Sequence, residues 1–402
     1  MLSEDKIRTL AEGYFKKVLE IRRHLHRHPE LSFAEFETSK FIQKQLSEAG
    51  IPFTSGHVKT GIIALIKGKN PGKRTLLLRA DMDALPIQEI NDVPYCSQNK
   101  GIMHACGHDV HSACALGAAL ILNDLRDHFE GSIKIMFQPG EEVLPGGANL
   151  MIREGVLENP QVDRAIALHV FPSMETGKVG FRSGMYMAST DELYLTVKGK
   201  GGHAAMPAEY INPLISASEI LLAINTKYML PQEIKGTPAE HIPTVVAFGK
   251  IEGRGATNII PEKVELAGTL RTMDEAWREQ LHFDLKELVK RISKKNNVEA
   301  ELKIEKGYPF LVNDPQFTSS CFAEAQTYLG KNRVEELPLR MTAEDFAFIS
   351  QKVPSCFFRL GTGNKELGIT AGVHTANFNI DENSLKIGTG LLAWLCIKGL
   401  ES

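Results

Sequence analysis

In TLLLRADMDALP, Thr75–Pro86, an apolar run of strand length leads straight into two carboxylates, Asp81 and Asp83. A short, continuous apolar run of this kind is what a strand buried on both faces requires. GIIALIKG from Gly61, SIKIMF from Ser132 and RAIALHV from Arg164 share the pattern. HSACALGAALILNDL and NLMIREGVL lie between them and read as helices. Upstream, an opening helix is interrupted at Pro29, and FAEFETSKFIQKQLSEAG shows helical spacing with Gly50 as its stop. Strands alternating with helices predict an α/β fold: a mixed, largely parallel sheet with helices on both faces.

Past Met187 the rhythm changes. ELYLTVKG, NPLISASEILLAINTKY, IPTVVAFGKIEG, EKVELAGTLRT, DEAWREQLHFDLKELVKRISKK and EAELKIEKG read as strand, helix, strand, strand, helix and strand. That is the order of a ferredoxin-like α+β unit. After Gly307, TSSCFAEAQTYLG (helix), SCFFRLG (strand) and NSLKIGTGLLAWLCIKGL (helix) return to the first pattern. The expected organisation is therefore an α/β domain from residues 1–187 and 308–402, interrupted by a small domain at 188–307.

Bulk composition narrows the function classes. With 46 Lys and Arg against 49 Asp and Glu, the net charge of -3 provides no broad basic field for nucleic acid or a membrane surface. A small-molecule substrate is the better expectation. No apolar run reaches the roughly 18 residues of a membrane span. The opening MLSEDKIRTLAEGYF lacks the apolar core of a signal peptide. Six widely separated cysteines suggest reduced thiols and a cytoplasmic location.

Ligands gather at the carboxyl edge of such sheets, where loops diverge and helix N-termini point at the cleft. TLLLRA runs into Asp81 and Asp83, SIKIMF into Glu141 and Glu142, and RAIAL into His169; HACGHDVH, His104–His111, precedes a helix. A thiolate and an imidazole at Cys106 and His108 can share one zinc-like ion. Equally, the loop can be a polar helix start, capped by Asp109, with His104 and His111 solvated or supporting the ligands. Glu141 and Glu142 allow one carboxylate to bind metal while its neighbour acts as general base. The bland alternative is an acidic surface loop. His169 and His374 count for little singly, yet with Cys106, His108 and Glu142 they make five donors, enough for two ions if one ligand bridges. A competing chemistry makes Cys106 a nucleophile activated by histidine, which leaves the glutamate pair without a task.

HLHRHPELSFAEFETS, RADMDALPI, HACGHDVHSA, QPGEE, GKGGHAAMP, TNIIPEKVELAGTLRT and AEDFAFI, in this order, span nearly the whole chain. Together they resemble the dinuclear metallo-aminoacylases, a group that includes hippurate hydrolases, N-acetyldiaminopimelate deacetylases and hydrolases of indoleacetyl-amino acids, related to glutamate carboxypeptidase. The resemblance implies a metal-binding α/β domain and a ferredoxin-like lid through which the chain dimerises. It implies two divalent ions, zinc or manganese before cobalt or nickel, held by Cys106 as bridge, His108, Glu142, His169 and His374. Glu141 then resembles the general base and Asp83 an acid that orients a ligand. His203 resembles a histidine that polarises the scissile carbonyl across a dimer interface, and Asn258 and Arg271 resemble binders of the substrate carboxylate. Asp81 is left between a turn role and a support role; Glu344 and Asp345 look like helix-capping or structural acids. Where relatives place a second histidine and an aspartate after GHAAMP, this chain has Ala208 and Asn212, which bears on lid contacts and substrate choice. The implied activity is hydrolysis of N-acyl-amino acids. A dipeptidase or carboxypeptidase using the same apparatus, or a catalytically silent metal-binding protein, stands as the alternative.

Overall fold

The computed structural model describes residues 2–228 and 242–401, which fall into two compact units. The first comprises Met1–Met185, Val312–Leu339 and Asp345–Ser402. Its eight-stranded sheet runs, edge to edge, Phe53–His57, Gly61–Lys67, Ser132–Gln138, Thr75–Asp81, Arg164–Glu175, Ser355–Gly363, Val179–Phe181 and Val334–Glu336. The four strands from Ser132–Gln138 to Ser355–Gly363 are mutually parallel. Antiparallel pairings flank them: Gly61–Lys67 with Ser132–Gln138 on one side, Val179–Phe181 with Ser355–Gly363 on the other. Three of the parallel strands are buried at every residue, which explains their mostly apolar sequences.

The helix His108–Asp124 is buried on all sides from His108 to Leu122, as its nearly uniform apolar composition demands. It packs on the opening helix Glu4–Arg27 and the final helix Ser384–Glu401. The helix expected over NLMIREGVL is shorter, Gly147–Arg153, because Glu154 and Gly155 turn the chain with φ +85 at the glycine. The hairpin strand Phe53–His57 lay outside the sequence expectation; its residues FTSGH are partly or fully exposed and carry little apolar signal.

The second unit comprises Tyr186–Leu311 with Arg340–Glu344. Its sheet is antiparallel, in the order Thr244–Glu252, Lys263–Thr272, Asp191–Lys198, Glu299–Lys306. The first strand in sequence thus lies between the third and the fourth, as in a ferredoxin-like sheet. Burial alternates residue by residue along Asp191–Lys198 because one face only is covered, by helices Pro213–Tyr228 and Glu275–Lys295. Leu193, Leu195, Val197, Ile220, Val264 and Leu285 form its core. Arg340–Glu344 joins this unit through backbone bonds from Arg340 N to Tyr186 O and from Ala188 N to Thr342 O.

Candidate metal centre

Within the first unit, the carboxyl ends of three parallel strands bring the acids and histidines together. Asp81 ends Thr75–Asp81, with Asp83 two residues on; Glu141 and Glu142 follow Ser132–Gln138; His169 lies inside Arg164–Glu175. Gly107 turns the chain into the helix that His108 begins, with φ +84, and an added Cβ there would meet Val170 at 2.6 Å. Glycine at this position therefore lets Cys106 and His108 close on the strand that carries His169. His374, also left-handed at φ +62, is tied in by its N–H donating to Ala105 O at 2.8 Å.

Cys106 Sγ stands 3.5 Å from His169 Nε2 and 3.3 Å from His374 Nε2. Glu142 Oε1 is 3.3 Å from His374 Nε2 and 3.8 Å from His108 Nε2. Two triads result, Cys106 with His108 and His169, and Cys106 with Glu142 and His374; in each, the potential ligand atoms lie within 4.8 Å of one another. His108, Glu141 and Glu142 form a third such group.

The imidazoles are oriented from behind. His108 Nδ1 donates to Asp83 Oδ1 at 3.2 Å and His169 Nδ1 to Val170 O at 2.8 Å, which turns both Nε2 atoms toward the cluster. Asp83 Oδ2 accepts from Ser32 Oγ at 2.6 Å and from Glu142 N at 3.0 Å, so one carboxylate holds a histidine and a glutamate together. Asp345 N donates to Glu141 Oε1 at 3.3 Å.

These donors fit divalent cations. His108 Nε2 is buried with no hydrogen-bond partner among the described residues, an arrangement that costs free energy unless another group completes it. Hydrogen bonds with Cys106 and then Glu142 raise His374 to about 10, so the cluster already attracts positive charge. Burial, with the charge of Glu142, pushes the Cys106 thiol up, the reverse of what an activated nucleophile needs.

Several expectations for individual residues change. His104 and His111 are not solvated: each is 1% exposed. Asp109 makes no cap; it pairs with Arg22 at 2.8 Å and with His26 at 2.8 Å, and Gly107 is the helix N-cap. His111 Nδ1 donates to Asp81 Oδ1 at 2.6 Å while its Nε2 accepts from Val170 N at 3.0 Å. Asp81 also takes Arg79 Nη1 at 2.6 Å, so it supports the centre rather than a turn. Asp345 is a structural acid, accepting from Arg79 Nη2, Gln138 Nε2 and Ala148 N. Sequence reasoning passed over Arg79, whose signal is a charge in the middle of the apolar run TLLLRA. It also passed over Arg22 and His26, which lie on the opening helix and reveal themselves only through Asp109.

In the second unit, His203 and Asn258 share a small ribbon: His203 pairs with Ile259, and Ala204 N donates to Asn258 O at 3.0 Å. His203 is exposed, and its Nδ1 accepts from Ala205 N at 3.1 Å. Arg271 lies on Lys263–Thr272; among the described residues its Nη1 is buried without a partner, and burial lowers its pKa.

Residues 77–398 match the family model of peptidase family M20/M25/M40. The chain belongs to this family. It is 37% identical over 370 residues to an N-acetyl-L-cysteine deacetylase of Bacillus subtilis, covering 92% of this chain and 85% of that protein. It is also 37% identical over 388 residues to thermostable carboxypeptidase 2 of Saccharolobus solfataricus, covering 95% of each. Among solved structures, a dinuclear metal binding peptidase from the M20 family of Bacillus subtilis superposes with a TM-score of 0.82 at 32% identity, covering 97% of this chain and 99% of that one. An M20 chain with this fold thus carries its acids, thiol and histidines at one sheet edge, in the order the motifs give.

Proposed function

We propose that this M20 chain is a metal-dependent amidohydrolase that cleaves N-acyl-amino acids into a carboxylic acid and a free amino acid. The observation that carries the reading is the pair of ligand triads sharing Cys106, with Glu141 beside them. In this reading Cys106, His108 and His169 would hold one divalent ion and Cys106, Glu142 and His374 the other. Zinc suits the sulfur and nitrogen donors, and manganese, cobalt and nickel are the other candidates. Such ions, when bound, polarise a carbonyl and acidify water at neutral pH.

Glu141 takes a proton from the attacking water and passes it to the departing amide nitrogen, so water and amide yield acid and amine without further reagents. Asp83 holds His108 and Glu142 in place. Arg271, with its unpartnered Nη1, takes the substrate carboxylate together with Asn258; a guanidinium matches that group in geometry. His203, an exposed donor, steadies the negative charge growing on the carbonyl oxygen of a neighbouring copy. That role requires a homodimer through the second unit. Exposed Ile215 and Leu222 and the edge strand Thr244–Glu252 supply a surface for it. Five buried free cysteines agree with a reducing, cytoplasmic setting, and no helix among the described residues is long and apolar enough to cross a membrane.

The test is a metal analysis of protein purified without added ions, followed by a panel of N-acetyl-amino acids, hippurate, dipeptides and longer peptides. Two metal equivalents and turnover of acylated amino acids are expected. Turnover that survives complete metal removal would overturn the reading. The likeness to a carboxypeptidase favours one second reading, cleavage of a C-terminal peptide bond by the same apparatus; preference for peptides over acylated amino acids would select it.

A further inference from the structure

Glu35 has no part in the reading above, yet it is fully buried within the first unit. Its Oε1 accepts from Gly140 N at 2.9 Å and from Phe33 N at 2.9 Å, while Oε2 accepts from Thr60 Oγ1 at 2.7 Å. Gly140 is the residue immediately before Glu141. A buried carboxylate that reaches 105 positions along the chain to hold the backbone beside a catalytic acid needs an explanation.

The surrounding geometry supplies one. Gly140 has φ +60, and the Phe33 ring lies so close that a Cβ on Gly140 would come within 2.4 Å of it. Phe33 is itself left-handed at φ +63, which lets its ring cover Gly140 while its N–H shares the same oxygen of Glu35. Two residues further, Glu142 N is gripped by Asp83, which is bonded in turn by Ser32 Oγ. The Gly140–Glu142 backbone is therefore clamped at both ends, by Glu35 before Glu141 and by Asp83 after it, and Ser32–Glu35 braces both clamps.

We infer that Glu35 is a positioning residue for the general base: by accepting the Gly140 N–H it fixes the backbone from which Glu141 reaches the attacking water. The inference rests on the amidohydrolase reading for its kinetic part and on geometry alone for its structural part. Burial, with the charge of Asp83 adding to it, raises Glu35 to about 7. Near neutrality the useful property is thus a placed oxygen acceptor rather than a full charge. A displacement of about 1 Å at a catalytic group is enough to cost on the order of 100-fold in rate.

Three substitutions separate reach from charge. Glu35→Gln keeps the length and one acceptor oxygen without charge; Glu35→Asp keeps the charge and withdraws it by one methylene; Glu35→Ala removes both. Amide hydrogen exchange of the peptide containing Gly140–Glu142, measured on metal-free protein, reads the clamp directly. Steady-state kinetics on the best acylated amino acid, with metal content and melting temperature, read its consequence. Expected are faster exchange at Gly140 in the Ala and Asp variants, and kcat reduced roughly 10- to 100-fold with KM changed less than about 3-fold and metal content retained. Glu35→Gln should restore both readouts to within a few-fold of wild type. Unchanged exchange in Glu35→Asp and Glu35→Ala overturns the inference, as does rescue by Asp but not Gln, or a loss of kcat that merely tracks loss of metal. If Glu35→Ala does not fold, the Asp and Gln pair decides alone. A wild-type chain with no turnover on any amide defeats the functional reading, while the exchange measurement still decides whether Glu35 holds the loop.

Discussion

At the scale of single residues, Glu141 and Gly140 carry the sharpest expectations. Glu141→Gln keeps the shape and removes the proposed base, so kcat should fall by roughly 100- to 10,000-fold while the protein retains its metal; steady-state kinetics beside metal analysis check this. Gly140→Ala forces a Cβ into the Phe33 ring at a backbone angle that alanine resists. Overpacking of this kind costs about 1–3 kcal/mol, so a lower melting temperature and a lower kcat should appear together. The two positions differ in how they can be read. QPGEE at the end of an apolar strand marks Glu141 from the sequence, because chemistry prefers acids at that edge. Glu35 carries no such mark: in PELSFAEFETS it looks like any other acid near a helix start, and only burial against Gly140 gives it a task.

At the scale of elements, the opening helix Glu4–Arg27 is fastened to the first turn of His108–Asp124 by a buried ion pair. Arg22 Nε donates to Asp109 Oδ2, which also takes His26 Nδ1, and His26 Nε2 meets Glu89 Oε1 at 3.1 Å. Arg22 and His26 outweigh burial and hold the Asp109 carboxyl well below its usual range. Removing one partner of such a pair leaves a buried charge uncompensated, so Arg22→Ala should destabilise the chain by about 3–5 kcal/mol, measured by denaturant unfolding. The helices themselves were legible from periodicity, since each must present an apolar face or, for His108–Asp124, be apolar all round. Which polar residues sit on their buried sides was not. His104 in the loop and Asp109 and His111 in the first helical turn belong to a motif that a local reading gives to solvent and a cap, and the fold buries all three.

At the scale of the whole molecule, the proposed centre draws ligands from segments spanning Cys106 to His374, so bound metal should stabilise the first unit as well as activate it. Chelation should lower the melting temperature and readdition restore it; with metal about 1,000-fold above its dissociation constant, the contribution is about 4 kcal/mol. The second unit has its own pH dependence. Burial would raise Asp191, but hydrogen bonds from His282 and Arg278 hold it at about 2. A carboxylate held below its unfolded value of about 3.9 contributes stability that is complete above that value and is lost as pH falls toward 2. Thermal melts between pH 5 and 2 should show that loss for this unit, and Asp191→Asn should flatten it. The sequence by itself determined the alternation of strands and helices, the ferredoxin-like order past Met187 and the motifs of the family, because periodicity and motif spacing are written in local runs. Only the tertiary structure decided which side chains join Cys106 in each triad, that Arg79 lies between Asp81 and Asp345, that Arg340–Glu344 joins the second unit, and that Glu35 reaches Gly140. Each of these is a contact between residues remote in the chain, set by strand order and burial, and no local pattern encodes it.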